Sequence, residues 1–445
     1  MFHPNFRVSG LSVLGSVVLL AACGRSDFLP SHSRGGGVVS VTGGVAGSGG
    51  ATTSTGGTVG TGGSPPVGHP WPVFGHDPQA TRLSPVDTSG NLGKLRWRLS
   101  LGAGPKSSPV ISLDGTVYVY STDPTLYAVV PPTSGTEGVL AWSYSVPLSD
   151  FPLGEYPAYA PSIGLDGTVY VSAWDTLYAV EAPASGTAGM VRWRYRTSNR
   201  YNPMGPTTVG GDGTVYTLGG DIVAFDGITG ALKWRGSSPG FGMDPPAIAQ
   251  DGTVYSGVNA LNAILPPTNG STDAFAWSFP EASAGTSPAI AADGTIFVGG
   301  DNLRVNAITP PTGGKGPALK WSYYTGCMTH AAPAFGPDGT VYVAGYDWDL
   351  FALNPQATNP DGELKWRWYH RGERGLRSAP AVGGDGTIYV AGYGHVYAIL
   401  PPTGGGGGTL KWDFRTEGYQ VSAPAIGADG TVYVTDENGI LYAIR

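Results

Sequence analysis

The tripeptide Asp-Gly-Thr occurs eight times between residues 114 and 431, and each copy opens a similar short run, DGTVYV in its first appearance. Successive aspartates stand 52, 46, 39, 42, 45, 47 and 44 residues apart. Self-similarity at such a period means an array of copies, each too small to bury its own apolar face and each completed by its neighbours. The copied pairs are Asp114-Gly115, Asp166-Gly167, Asp212-Gly213, Asp251-Gly252, Asp293-Gly294, Asp338-Gly339, Asp385-Gly386 and Asp429-Gly430.

The rest of the unit is copied at fixed distances from the aspartate. A proline stands five residues before it in seven units (Pro109, Pro161, Pro246, Pro288, Pro333, Pro380, Pro424) and six before it, at Pro206, in the third. An alanine follows it by 12 to 14 residues: Ala128, Ala179, Ala224, Ala263, Ala307, Ala352, Ala398 and Ala443. Eight tryptophans complete the series: Trp97, Trp142, Trp193, Trp234, Trp277, Trp321, Trp366 and Trp412. The runs TVYV, TIFV and TIYV are β-branched and aromatic with period two, and SPAI, LYAI and LKWRW are short, apolar and bounded by turn residues. No helical period is found between Trp71 and Arg445. Four short strands in about 45 residues make one propeller blade. The fold class expected is all-β, an eight-bladed β-propeller with four-stranded blades.

Within a blade, Asp-Gly separates two strands about four residues apart. Glycine supplies positive φ there, and the aspartate bonds its own backbone two residues on. The eight pairs are read as structural hairpin turns, since eight catalytic aspartates in identical turns have no mechanism to serve. The last unit ends at LYAIR without a tryptophan strand, while Trp97 precedes the first full unit. The N-terminal strand KLRWRL is therefore expected to supply the outer strand of the last blade and close the ring without loose edges.

The segment AFDGITGALKW, from Ala224 to Trp234, resembles the tryptophan-docking pattern of the pyrroloquinoline-quinone-type (PQQ-type) propeller repeat. The match falls on Ala224, Asp226, Thr229, Gly230 and Trp234. The other units keep the alanine and tryptophan but lengthen the turn between them, and WPVFGHDPQATRLSP (71–85) looks like the lead-in to such repeats. The resemblance implies that each tryptophan is buried between adjacent blades and received by the turn. It also implies two kinds of relative, quinoprotein dehydrogenases and BamB-type outer-membrane lipoproteins, so it speaks to fold more than to function.

The chain begins with an address. Arg7 ends a short n-region, VSGLSVLGSVVLL is an apolar stretch too short to span a bilayer, and Leu20-Ala21-Ala22-Cys23 resembles a bacterial lipobox. That implies cleavage before Cys23 and a lipid on its sulfur, and Gly24 points to the outer membrane or cell surface. The expected organisation is a signal peptide over 1–22, a lipid-anchored Gly/Ser/Thr-rich linker over 23–68, and the propeller over 69–445. The linker cannot bury a core and is expected to act as a flexible tether.

Composition narrows the functions. With 72 glycines and 38 prolines but only 13% charged residues the chain is turn-rich, and 11% aromatics give it surface to bury. A net charge of −7 argues against nucleic acid. Cys327 has no cysteine partner once Cys23 is acylated, and with His330 it is two ligands short of a zinc site, so it is read as a structural thiol. Quinoprotein dehydrogenases hold the quinone beside a disulfide of neighbouring cysteines and activate it with calcium; this chain has no adjacent cysteine pair. Arg196, Arg200, Arg371, Arg374 and Arg377 are the candidates to hold a polyanionic quinone, or else solvated loop charge. DENG and YDWD lack full calcium-ligand spacing.

The expected function is a non-catalytic envelope lipoprotein, a monomeric propeller that scaffolds envelope or outer-membrane proteins, without metal or cofactor. The alternatives are a PQQ-dependent dehydrogenase-like enzyme and a surface glycan-binding or adhesion module. One propeller face carries the copied Asp-Gly and PPTGGG turns. The other carries dissimilar loops rich in Tyr, Trp and Arg. That second face is the candidate binding face, with Trp174, Arg200, Tyr201, Trp348, Arg371, Arg374, Arg377 and Tyr419 as its candidate residues. Cys23→Ala should move the protein from the membrane pellet to the soluble fraction; unchanged pelleting would place the anchor elsewhere.

Overall fold

A computed structural model describes residues 71–102, 104, 106–151, 158–197, 204–237, 244–267, 275–282, 285–300, 302–329, 331–346, 349–369 and 375–445. Cys23, the linker, Arg200, Tyr201, His330, Trp348, Arg371 and Arg374 lie outside them. Eight four-stranded antiparallel sheets follow one another along the chain. In the first blade the order from inside out is Val110–Ile111, Val117–Tyr120, Thr125–Val130 and Val139–Ser145. Blades 2 to 7 repeat this over 162–196, 207–237, 247–279, 289–324, 334–369 and 381–415. In blade 8, Ala425–Ile426, Val432–Thr435 and Ile440–Ile444 are completed by Leu95–Ser100, which places Trp97 opposite Ala443. The ring closes through the N-terminal strand, as the surplus tryptophan required.

One cross-strand triplet repeats in every blade. Tyr118 pairs with Ala128, and Ala128 with Trp142. The same holds for Tyr342, Ala352 and Trp366, and for Tyr433, Ala443 and Trp97. The eight Tyr–Trp pairs, with Phe297 standing for tyrosine in blade 5, have ring centroids 5.6–5.8 Å apart. All eight alanines are wholly buried. Two rings from alternate strands lean together over the strand between them, and only a methyl group fits beneath. Such a pair adds about 0.5–1.5 kcal/mol beyond the area it buries.

The tryptophans also join the blades. A Cβ added at Gly138, Gly189, Gly230 or Gly408 would lie 2.6 Å from Trp97, Trp142, Trp193 or Trp366 of the preceding blade. Trp412 meets Gly93 in the same way, and a Cβ at Gly362 would lie 3.1 Å from Trp321. Each of these turns therefore receives its neighbour's indole, and Gly230 of the Thr-Gly motif receives Trp193 rather than its own Trp234. Trp193 Nε1 donates to Gly227 O at 2.8 Å, and Trp412 Nε1 to Asn91 O at 3.2 Å.

All eight Asp-Gly pairs are hairpin turns. Gly115 has φ +85° and its N–H donates to Ser112 O at 3.0 Å; Gly339 has φ +77° and donates to Gly336 O at 2.9 Å. This is a type I turn followed by a left-handed bulge residue. Seven of the aspartates accept the Thr N–H two residues on, at 2.9–3.1 Å. In blade 7, Asp385 instead accepts Thr88 N and Oγ1 at 3.1 and 2.6 Å.

The aspartates also grip the outer strand. In each blade the residue before the tryptophan is an extra one in the ladder, between Ala352–Trp366 and Leu353–Leu364 for example, and such a bulge re-aims its side chain. It carries Arg192, Lys233, Lys320 and Lys365 to Asp166, Asp212, Asp293 and Asp338 at 2.5, 3.4, 3.6 and 2.8 Å, and Arg96 to Asp429.

Two predictions follow from these contacts. Ala352→Leu should cost roughly 1–3 kcal/mol or more by overfilling the slot between Tyr342 and Trp366, whereas Asp338→Ala should cost only about 1 kcal/mol for lost turn hydrogen bonds; denaturant unfolding compares them, and equal costs would contradict the role given to the alanine. The second concerns acid. Burial raises the pKa of Asp114, Asp166, Asp212, Asp293, Asp338, Asp385 and Asp429, but their hydrogen bonds and cations outweigh it and hold each below 3.8. A carboxyl depressed in the fold stabilises above its unfolded pKa and ceases to as pH falls through the folded value. Unfolding free energy should therefore drop below about pH 4, and Asp338→Ala should lessen that slope.

Candidate functional site

Strand direction sorts the loops. Innermost and third strands run toward the Asp-Gly and PPTGGG turns; second and outer strands run toward the dissimilar loops. Trp174, Arg196, Arg377 and Tyr419 all fall on the dissimilar face, but the structure separates them. Trp174 sits with φ +51° in the turn between Val169–Ala173 and Thr176–Glu181 of blade 2, half-buried against the apolar core shared by blades 1 and 2. Arg196 is committed to Asp175 at 2.9 Å and approaches Asp150 at 3.9 Å. Tyr178 Oη also donates to Asp150. These groups hold blades 1 and 2 together.

Blades 5 to 8 differ. Arg377 lies over the rings of Tyr346 and Tyr393, 4.6 Å from each centroid, and donates to Tyr346 Oη. Tyr346 follows the second strand of blade 6, and Tyr393 the second strand of blade 7. The arginine comes from the connection between those blades and is sandwiched by both. Tyr419 is 58% exposed in the next connection, where its N–H donates to Glu437. Tyr324, at the end of the blade 5 outer strand, is 57% exposed with Arg304 5.6 Å from its ring, and Tyr369 ends the blade 6 outer strand at 52% exposure. Among the described residues, the aromatic side chains that stand well exposed are Tyr324, Tyr346, Tyr369 and Tyr419, all on this arc of one face. The loop strings YYTG and GYDWD held the signal for Tyr324 and Tyr346, but sequence alone does not say which loop aromatics pack and which stand out.

The axis is filled by the lead-in segment. The innermost strands turn their free edges inward, and residues 71–91 pass along them in ring order. Ile111, Ile163, Ile248, Ile290, Phe335 and Val382 donate their N–H groups to the carbonyls of Trp71, Pro72, Pro78, Gln79, Thr81 and Arg82 at 2.7–3.0 Å. Asn91 Nδ2 then reaches Gly430 O and Ile444 O of blade 8, both at 3.0 Å. His76, Ala80 and Arg82 adopt φ of +73°, +57° and +54°, which costs roughly 1–2 kcal/mol each. Arg82 is fully buried; its Nη1 donates to Phe74 O at 3.0 Å and its guanidinium lies 4.0 Å over the Phe74 ring. Burial drives its pKa down to about 10 against the pull of Asp244 and Asp77.

This geometry bears on a quinone and its calcium. A polyanionic quinone needs converging cations, and Arg196 and Arg377 are occupied in different parts of the ring. The hollow above Phe74, at the entry ends of the first four innermost strands, measures about 160 Å³. Ligand pockets usually start near ~300 Å³. Among the described residues no three His, Cys, Asp or Glu side chains converge as metal ligands. Cys327 is buried with its Sγ against Gly345, a packing position. The described residues do not assemble a cradle for either group.

Residues 356–445 match the family model of the outer membrane protein assembly factor BamB. The quinohemoprotein alcohol dehydrogenase of Comamonas testosteroni is 30% identical over 187 residues, 37% of this chain and 25% of that protein; the chain matches about a quarter of that relative's length. The crystal structure of that dehydrogenase superposes with a TM-score of 0.62 at 16% identity, covering 84% of this chain and 80% of the other. BamB from Moraxella catarrhalis gives 0.56 at 16%, covering 79% and 96%. A europium-containing methanol dehydrogenase gives 0.59 at 14%, covering 82% and 89%. At these identities the structural likeness is one of fold. The chain is an eight-bladed propeller of PQQ-like repeats, an architecture it shares with BamB and with quinoprotein dehydrogenases.

Proposed function

We propose that this chain is a non-catalytic cell-envelope lipoprotein, anchored through Cys23, whose propeller presents one arc of its dissimilar face to envelope or outer-membrane proteins. The BamB match over 356–445 directs the reading toward outer-membrane protein assembly. The observation that carries it is the gathering of Tyr324, Tyr346, Tyr369 and Tyr419 with Arg377 and Arg304 on blades 5 to 8. Tyrosine and arginine are enriched among the side chains that anchor protein interfaces, where they bury large area and keep a polar end satisfied. The axial segment supports the same reading, since it fills the centre of the ring with the chain's own backbone. The 30% identity to the alcohol dehydrogenase favours catalysis as a second reading. Exposed tyrosines also stack on sugars, which keeps a glycan as a third.

A photo-crosslinking residue placed at Tyr346 or Tyr419 should yield discrete adducts with envelope proteins in intact cells, while one at Thr133, in a copied turn, should not. Equal adducts from both faces would refute the choice of face. Dye reduction by the purified protein with PQQ, calcium and an alcohol would overturn the non-catalytic reading.

A further inference from the structure

The copied face is not uniform at blade 4. In blades 2, 3, 5, 6 and 8 the bulge residue before the tryptophan is a lysine or arginine that reaches the blade's own turn aspartate. In blade 7, Lys411 Nζ bonds the carbonyls of Thr88 and Ser89 while Thr88 serves Asp385. Blades 1 and 4 have alanine there, Ala141 and Ala276. In blade 1 the Ser112 hydroxyl donates to Asp114. Blade 4 has Ala249 at the position of Ser112 and no such hydroxyl. The exposed Asp251 carboxylate accepts only the Thr253 N–H, at 2.9 Å, among the described residues.

That carboxylate borders two adjoining hollows of about 410 and 360 Å³, which share Gln79, Ala249, Gln250 and Asp251. Asp212 lines the first and is already paired with Lys233. Ile248, Ile290 and Pro310 supply apolar walls. Charge and shape together suit a long aliphatic stem ending in a cation, which buries its methylenes and keeps its head at a carboxylate.

We propose that the groove at Asp251 receives a lysine or arginine side chain from an extended segment of a partner protein, in the place that five sister blades fill from their own outer strand. The site lies on the face opposite the tyrosine arc and stands independently of it.

The test uses the mature chain and a fluorescent acetyl-Pro-Lys-Pro-amide probe, with its lysine-acetylated form for comparison, followed by anisotropy at low salt. The unmodified probe should bind and weaken as salt is added. Asp251→Asn should weaken it about fivefold. Ala276→Lys installs the missing cation on an exposed position; it should abolish binding without lowering the melting temperature. Ala141→Lys in blade 1 should leave binding unchanged. Absence of binding to the unaltered chain, equal binding of the acetylated probe, or equal affinities for the Asp251→Asn and Ala276→Lys variants would overturn the proposal.

Discussion

Everything in the ring depends on an indole laid over a methyl group. On the outer strand of each blade a tryptophan leans across the central alanine toward a tyrosine or phenylalanine, and in six of the seven places where the next turn is described its far side rests on a glycine of the neighbouring blade. One side chain thus packs its own sheet and docks the next. Blades held this way have no independent core, so their stabilities are shared between neighbours. The arrangement also explains why the ring must close. An end blade without a neighbour would expose an indole and a free strand edge together. Trp97 and the strand Leu95–Ser100 remove both at once.

Closure at the rim leaves the inner edges still to be satisfied. Eight short strands converge on the axis, and buried N–H groups there need partners. Residues 71–91 supply carbonyls to six of them in sequence, at the expense of three left-handed non-glycine residues. The same stretch ends on blade 8 and leads directly into the closing strand. The N-terminal region is therefore both plug and clasp. This leaves the centre of the ring to the fold and the loops above it to recognition.

The repeat was legible because its periodic residues have periodic jobs. Asp-Gly specifies a turn by local chemistry, and the alanine and tryptophan spacings report a cross-strand register. The bulge cation was visible as Arg192, Lys233, Lys320 and Lys365 beside tryptophan, but its target was not, since a bulge turns a side chain by geometry that no spacing records. The axial path of Trp71 to Asn91 was hidden for a similar reason: its contacts are spread around the whole ring, from Ile111 to Ile444, and positive φ at His76, Ala80 and Arg82 has no sequence signature. Trp174 and Arg377 look alike as loop residues. One is packed against its blade and the other is stacked in the open between Tyr346 and Tyr393.

The two faces thus divide the labour by how much freedom the blades leave them. The turn face is bound by ion pairs and indole docking and repeats with small exceptions, of which Asp251 is one. The loop face of blades 5 to 8 carries ion pairs of its own, such as Arg367 with Asp349 and Arg98 with Glu417, and aromatic side chains stand out there. All of this presumes a ring that opens only as a whole. Native-state hydrogen exchange on the amides of Leu95–Ser100 tests that claim most directly. The account predicts that they exchange with the same free energy as those of Val341–Ala344 inside blade 6, because opening the clasp means opening the ring. Exchange of the clasp strand through a separate, much cheaper opening would contradict it.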